Sequence, residues 1–296
     1  MRALKSLLKV LGLLLVVLVI ALAGFAWRGN STLSKRWDIQ PVAGLSPASA
    51  VNLAEGEHQA RIRGCLECHG ADLGGQVLAQ TPVGPMVPPN LTRGQGGVTA
   101  KYTDADWQRA IRHGVGPGGR PLILMPSDDN TSMSETDFAA LVAYVQSMPP
   151  VDRVNEPTSL NLLGKILLGA GQLPMLTVER IDHTLKPKSV AVAATAEYGG
   201  YLAGICSGCH GANFAGGPAP GLPPDAPKAA NLTPAGRATG WSTAEFATTL
   251  RTGKRPDGTQ MQPQFMPWPA FSHMTDVEIE ALQRYFQSLP PADKRS

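Results

Sequence analysis

One pentapeptide constrains this chain of 296 residues more than any other feature. Cys65-Leu66-Glu67-Cys68-His69 returns 141 positions later as Cys206-Ser207-Gly208-Cys209-His210. These four cysteines are all the chain has, so none is left for a structural disulfide. The repetition reaches beyond the pentads. Asn90-Leu91-Thr92 returns as Asn231-Leu232-Thr233, Met125-Pro126 as Met266-Pro267, and Tyr144 as Tyr285, all at the same spacing. Tyr102 to Arg112 matches Trp241 to Arg251 at a spacing of 139, while the segment ahead of each first cysteine aligns less well. Two copies of about a hundred residues indicate a duplicated domain, not a solenoid.

Cap signals place the helices of each copy. Thr103-x-x-Asp106 and Ser242-x-x-Glu245 read as capping boxes, as do Ser134-x-x-Asp137 and Thr275-x-x-Glu278. After the later pair, Phe138, Leu141, Val142 and Val145 share one helical face, as do Ile279, Leu282, Phe286 and Leu289. Proline stops both helices, at Pro149-Pro150 and Pro290-Pro291. Gly (32) and Pro (26) make up about a fifth of the chain, which suits short helices joined by long turns. No alternating strand pattern is evident, so the expected class is all-α, with units over 48–150 and 190–296. Between them, 151–189 forms a linker whose apolar stretch Leu160–Leu168 is too short to span a membrane. It is expected to pack across both domains; the alternative, membrane contact, is disfavoured because amphipathic anchors usually show a basic polar face.

The first 30 residues set the address. Arg2, Lys5 and Lys9 precede an uncharged run of 18 residues from Val10 to Trp27, long enough for a transmembrane helix. Positive charge ahead of the run keeps the N-terminus cytoplasmic and puts the remainder outside. The competing reading is a cleaved leader, with Ala21-Leu22-Ala23 as the cut site and a soluble periplasmic product. The expected location is a single-pass anchor in a bacterial inner membrane with both units in the periplasm.

C-x-x-C-H has a chemical purpose. Two cysteines three positions apart form thioethers to the two vinyl groups of one haem, and the adjoining histidine ligates its iron. Zinc ribbons keep their cysteine pairs about 15–20 residues apart, and a thioredoxin-like pair needs a βαβ setting; neither pattern is present. Two covalently attached haems c are therefore expected, held by Cys65, Cys68 and His69 and by Cys206, Cys209 and His210.

With these motifs in their order, each unit resembles a class I cytochrome c domain: an N-terminal helix, the pentad, a Pro-Asn-Leu-type loop, a methionine loop and a C-terminal helix. As a whole the chain is similar to membrane-anchored cytochrome c subunits of periplasmic dehydrogenases, although such subunits often carry three pentads. The repeat helps sort candidates for the second axial ligand. His58, His113, His183 and His273 have no counterpart, so loop or surface roles are expected for them. Met133 and Met274 recur just ahead of helix caps, where a hydrophobic staple against Phe138 and Ile279 accounts for them. Met125 and Met266 recur in proline-rich loops, where the family places its axial methionine. They complete His69/Met125 and His210/Met266 as the metal ligands. The resemblance also implies that the carbonyl of Pro89 orients the His69 ring. Ala230 stands at that place in the second unit. Arg112 and Arg251 recur and are candidates either for haem propionates or for complementing a helix dipole. Tyr102 and Trp241 are expected to staple against Trp107 and Phe246.

Histidine–methionine ligation leaves no vacant position for substrate, so the expected role is electron transfer without a catalytic residue. The partners would be a donor dehydrogenase and an acceptor oxidase or cytochrome of a respiratory chain. The alternative, a dihaem peroxidase, needs one open iron. A net charge of +3 and no basic run with interleaved aromatics argue against nucleic acid.

Overall fold

The computed structural model describes residues 2–41, 52–220, 222 and 225–293. Positions 48–51 of the expected first unit and the last three residues of the second lie outside them. Helix α1 (Arg2–Ser34) is followed by the first unit. That unit comprises α2 (Leu53–Ile62), α3 (Cys65–His69), the hairpin β1 (Ala79–Thr81) and β2 (Gly84–Met86), α4 (Asp104–His113) and α5 (Glu135–Ser147). The connector carries α6 (Leu162–Gly169). The second unit comprises α7 (Ala196–Leu202), α8 (Gly204–His210), α9 (Thr243–Thr252), α10 (Trp268–Phe271) and α11 (Asp276–Ser288). The architecture is all-α apart from the hairpin. Its strands have three residues each, too short to show a period of two in sequence, and pairing Ala79 with Met86 is a purely local closure.

In each unit the first helix crosses the last, α2 on α5 and α7 on α11. The crossings are close because Gly56 and Gly199 carry no Cβ: a methyl there would overlap the carbonyl of Ala140 or Ala281. These glycines lie 143 apart rather than 141. The first unit has two extra residues around the Arg63-Gly64 turn, where Gly64 has φ 71°. That insertion hides the repeat ahead of the pentads. The expected helix faces are the observed cores. Phe138, Leu141, Val142 and Val145 are buried with Met133 and Trp107; Ile279, Leu282 and Phe286 are buried with Met274 and Phe246.

The repeated Asn-Leu-Thr closes each unit. Asn90 Oδ1 accepts from Thr92 N while its Nδ2 donates to the Val151 carbonyl at 2.7 Å. Asn231 does the same with Thr233 N and the Ala292 carbonyl at 2.7 Å. The chain beyond each Pro-Pro is thereby strapped beside the loop that follows the pentad.

The two units meet through a pseudo-two-fold seam. His58 of α2 and Tyr201 of α7 each lie two residues beyond the crossing glycine. His58 Nε2 hydrogen-bonds Glu278 Oε1 at 2.8 Å, and the Tyr201 hydroxyl donates to Asp137. Asp137 and Glu278 are the N3 residues of equivalent helices. Thr103, Ser242 and Thr275 form the expected capping boxes. Ser134 forms only half of one: its hydroxyl accepts from Asp137 N, but its own N–H goes to the Tyr201 hydroxyl at 3.0 Å. Tyr201 thus replaces the return bond from Asp137. Ile62 of the first unit is fully buried in the core of the second.

The connector does not bridge both domains through α6, contrary to expectation. α6 runs antiparallel on the C-terminal end of α1, with Gly29 against Lys165 and Gly169, and Gly169 against Phe25. Leu33 of α1 and Trp37 and Ile39 after it join Leu160, Leu168, Leu176 and Val178 in a separate apolar cluster. The physical reason is backbone proximity: two glycines in register let the helices approach more closely than larger side chains allow.

Candidate haem-binding clefts

Each pentad forms a short helix ended by a glycine in the left-handed region, Gly70 and Gly211, both with φ 84°. The chain then turns through Leu73 (φ 53°) and Phe214 (φ 57°), two large residues in a conformation disfavoured for them. Such strain persists only where surrounding structure enforces it. Here Leu91 N donates to the Leu73 carbonyl at 2.8 Å, and Leu232 N donates to the Phe214 carbonyl at 2.8 Å. The turn therefore docks on the Asn-Leu-Thr loop and brings the preceding carbonyl to the histidine. His69 Nδ1 hydrogen-bonds the Pro89 carbonyl at 2.9 Å, and His210 Nδ1 hydrogen-bonds that of Ala230 at 2.7 Å. Proline is not required for this bond, since the strap beyond Pro-Pro holds either carbonyl. With Nδ1 donating to a carbonyl, Nε2 is left as the ligating nitrogen.

In the second unit, Cys206, Cys209, His210 and Met266 line one cleft, with walls that include Leu232, Phe246, Leu250, Met274 and Leu282. The walls are apolar, as cofactor sites are. The equivalent side chains of the first unit, Leu91, Trp107, Ile111, Met133 and Leu141, share one apolar cluster against which Cys65 packs. Trp107 Nε1 and Arg112 Nε are buried there without a partner, two donors available to an acidic group entering that core. A covalently tethered, largely apolar macrocycle with acidic side arms fits these residues.

Electrostatics agree. Burial pushes the Cys65 and Cys206 thiols up to about 12, so neither is a thiolate ready for metal binding or disulfide exchange. Burial also lowers His69, opposed by its bond to Pro89, which keeps the ring neutral and able to ligate. No cluster of three histidine, cysteine or carboxylate side chains suited to a bare metal ion occurs among the described residues.

The other sequence candidates fall as follows. Met125 lies half-buried in its loop, its carbonyl accepting from Ser127 N at 2.9 Å and from Thr177 Oγ1 at 3.0 Å. These contacts are with its own loop and the connector, whereas Met266 shares its cleft with His210. Arg112 donates to Glu135 at 3.0 Å and to the Met133 carbonyl at 2.9 Å; Arg251 donates to Asp276 at 2.7 Å and to the Met274 carbonyl at 3.2 Å. Both arginines tie their helix to the start of the last helix of the unit, α5 or α11. Tyr102 meets Trp107 edge-on at 5.2 Å. The unmatched histidines are not all surface residues. His113 is buried, with Nδ1 3.1 Å from His183 Nδ1, and His58 sits in the seam.

Sequence reasoning missed two residues beside these sites. Thr177 holds the Met125 carbonyl from 52 residues away. Asp129 follows Met125 and lies across the seam, its Oδ1 3.4 Å from where a Cβ on Gly208 would stand. Burial and neighbouring Asp128 push its carboxyl up to about 8. No local pattern marks either residue, because each contact depends on how separate segments pack.

Paired C-x-x-C-H helices opening on apolar clefts in tandem α-helical units define a covalent haem-binding electron-transfer module. The chain belongs to the cytochrome c family, whose model matches residues 53–149 and 199–290. It is 26% identical to the cytochrome c subunit of alcohol dehydrogenase (quinone) from Gluconacetobacter polyoxogenes, over 82% of this chain and 57% of that one. It is 29% identical to a diheme cytochrome c-type protein from Cereibacter sphaeroides, over 77% and 82%. It is 26% identical to the fructose dehydrogenase cytochrome subunit of Gluconobacter japonicus, over 83% and 54%. The chain thus spans little more than half the length of those two dehydrogenase subunits.

Proposed function

We propose that this chain relays single electrons on the periplasmic face of a bacterial inner membrane, from a dehydrogenase to a respiratory acceptor, through one haem c in each unit. The anchor is 1–30, the units are 48–150 and 190–296, and 151–189 is the linker. Cys65 and Cys68 would tether one haem and Cys206 and Cys209 the other; His69 with Met125 and His210 with Met266 would hold the two irons. The observation that carries this reading is the second cleft, where His210, Met266 and both cysteines share apolar walls whose counterparts recur in the first unit.

Bound haem supplies a one-electron couple at its iron. The protein tunes it. A thioether ligand and water-excluding walls favour the reduced state and raise the potential. The carbonyls of Pro89 and Ala230 fix the imidazole planes, so little reorganises when charge changes. Relay between the units is supported by the seam, where α8 packs on the turn Ser127–Asn130 that follows Met125. The relatives named as dehydrogenase cytochrome subunits support a dehydrogenase as donor. Arg2, Lys5 and Lys9 ahead of the apolar run support the outward orientation.

Redox titration of the purified full-length protein, followed in the visible and near-infrared, tests this. Two one-electron waves and a sulfur-to-iron band from both haems are expected. A vacant axial position on either iron would sink the reading.

A further inference from the structure

Only one described segment of the connector combines exposed large apolar residues with direct contact to α1. In α6, Leu162 is 66% exposed and Leu163 46% exposed, and Ile166 and Leu167 are half-buried. At 100° per residue these four share one arc of the helix. The opposite side, Gly164 and Leu168, is buried toward the protein. The only polar side chain in α6 is Lys165.

The position of this face says what covers it. Val10, Leu11 and Leu13 to Ile20 of α1 are exposed apolar side chains, a surface only lipid satisfies if α1 is the anchor. The apolar run ends at Trp27. Gly169, the last residue of α6, lies against the Phe25 carbonyl, two residues inside that end, or about 3 Å along the axis. α6 then rises antiparallel to α1 for about 10 Å, which is the depth of the headgroup and acyl boundary layer. Its exposed face is therefore continuous with the lipid-facing surface of α1. Arg28, Lys35 and Arg36 flank the same level of α1, and Lys165 can extend its amine toward lipid phosphate.

We propose that α6 is a membrane-surface helix that sinks Leu162, Leu163, Ile166 and Leu167 into the outer boundary of the bilayer while its backbone locks onto α1. The inference rests on reading α1 as an uncleaved anchor. Its consequence is orientation. α6 gives the haem units a second point of membrane attachment beside α1. Because Leu124 N donates to the Met175 carbonyl at 2.9 Å and Thr177 Oγ1 to that of Met125, the segment following α6 holds the methionine loop of the first unit at a set height above the lipid.

The test uses the haem-loaded full chain in nanodiscs of phosphatidylcholine and phosphatidylglycerol doped with a lipid carrying a photoreactive acyl chain. Cross-linked peptides are mapped by mass spectrometry, with α11 as the background. Labelling of both α1 and 154–180, the latter several-fold above background, is expected. In the double variant Leu162→Asp, Leu163→Asp, labelling of 154–180 should fall to background while α1 labelling and the haem spectrum persist. Labelling of α1 without 154–180 would overturn the proposal and leave the anchor standing. Absence of label from α1 would overturn the anchor and, with it, this inference.

Discussion

Replacing His58 with alanine probes the seam that joins the two haem units. Glu278 is 2% exposed and its two oxygens are divided. Oε2 accepts from Thr275 N at 2.7 Å and Thr275 Oγ1 at 3.0 Å; Oε1 accepts from His58 at 2.8 Å and from the Tyr198 hydroxyl at 3.4 Å. Breaking a buried ion pair costs about 3–5 kcal/mol when the surviving charge is stranded. Glu278 keeps its cap bonds, so the loss of one charge-assisted hydrogen bond is the better guide, about 2 kcal/mol. The pH dependence carries a sign. His58 is raised above its ordinary 6.5, first by its hydrogen bond to Glu278, with Glu55 and Asp137 also contributing negative charge. Its contribution is therefore complete below 6.5 and lost as pH rises through the raised value. Glu278 is held below its ordinary 4.5 by His58 and Thr275 against the cost of burial. Its contribution is present above 4.5 and lost as pH falls through the lowered value. Urea unfolding of the haem-loaded protein and of His58→Ala, from about pH 4 to about pH 9, should show the widest gap between roughly 4.5 and 6.5, narrowing on the alkaline side. A gap independent of pH, or none, would refute the argument that this pair is ionic and stabilising.

Met266→Ala should lower the potential of one haem and leave the other largely unchanged in a redox titration; equal shifts of both would contradict one methionine per unit. Gly199→Ala places a methyl against the Ala281 carbonyl and 2.8 Å from the Tyr285 Cβ side, where backbone cannot yield. A loss of about 1–3 kcal/mol is expected, read as a lower midpoint by far-ultraviolet circular dichroism. Tyr201→Phe removes the partner of Asp137 and of the Ser134 N–H together. It should cost about 1–3 kcal/mol and speed proteolysis between the units, without altering either haem spectrum.

The pentads, the duplicated all-α unit, the cap residues and the Pro-Pro stops are all legible from sequence, because each rests on chemistry within a few residues. Two cysteines and a histidine at fixed spacing address one macrocycle whatever surrounds them, and a serine or threonine caps a helix by reaching its own next turn. The carbonyl of Ala230 could be placed opposite His210 only through the Asn231 strap, which acts at a distance of 61 residues. Only the tertiary structure decides that Asp137 trades its capping role for Tyr201, that Asp129 crosses to the second pentad helix, and that α6 lies on α1. These contacts depend on glycines in register and on buried polar groups finding partners across a seam. The free energy that selects them comes from packing whole segments together, so no single segment carries their signature.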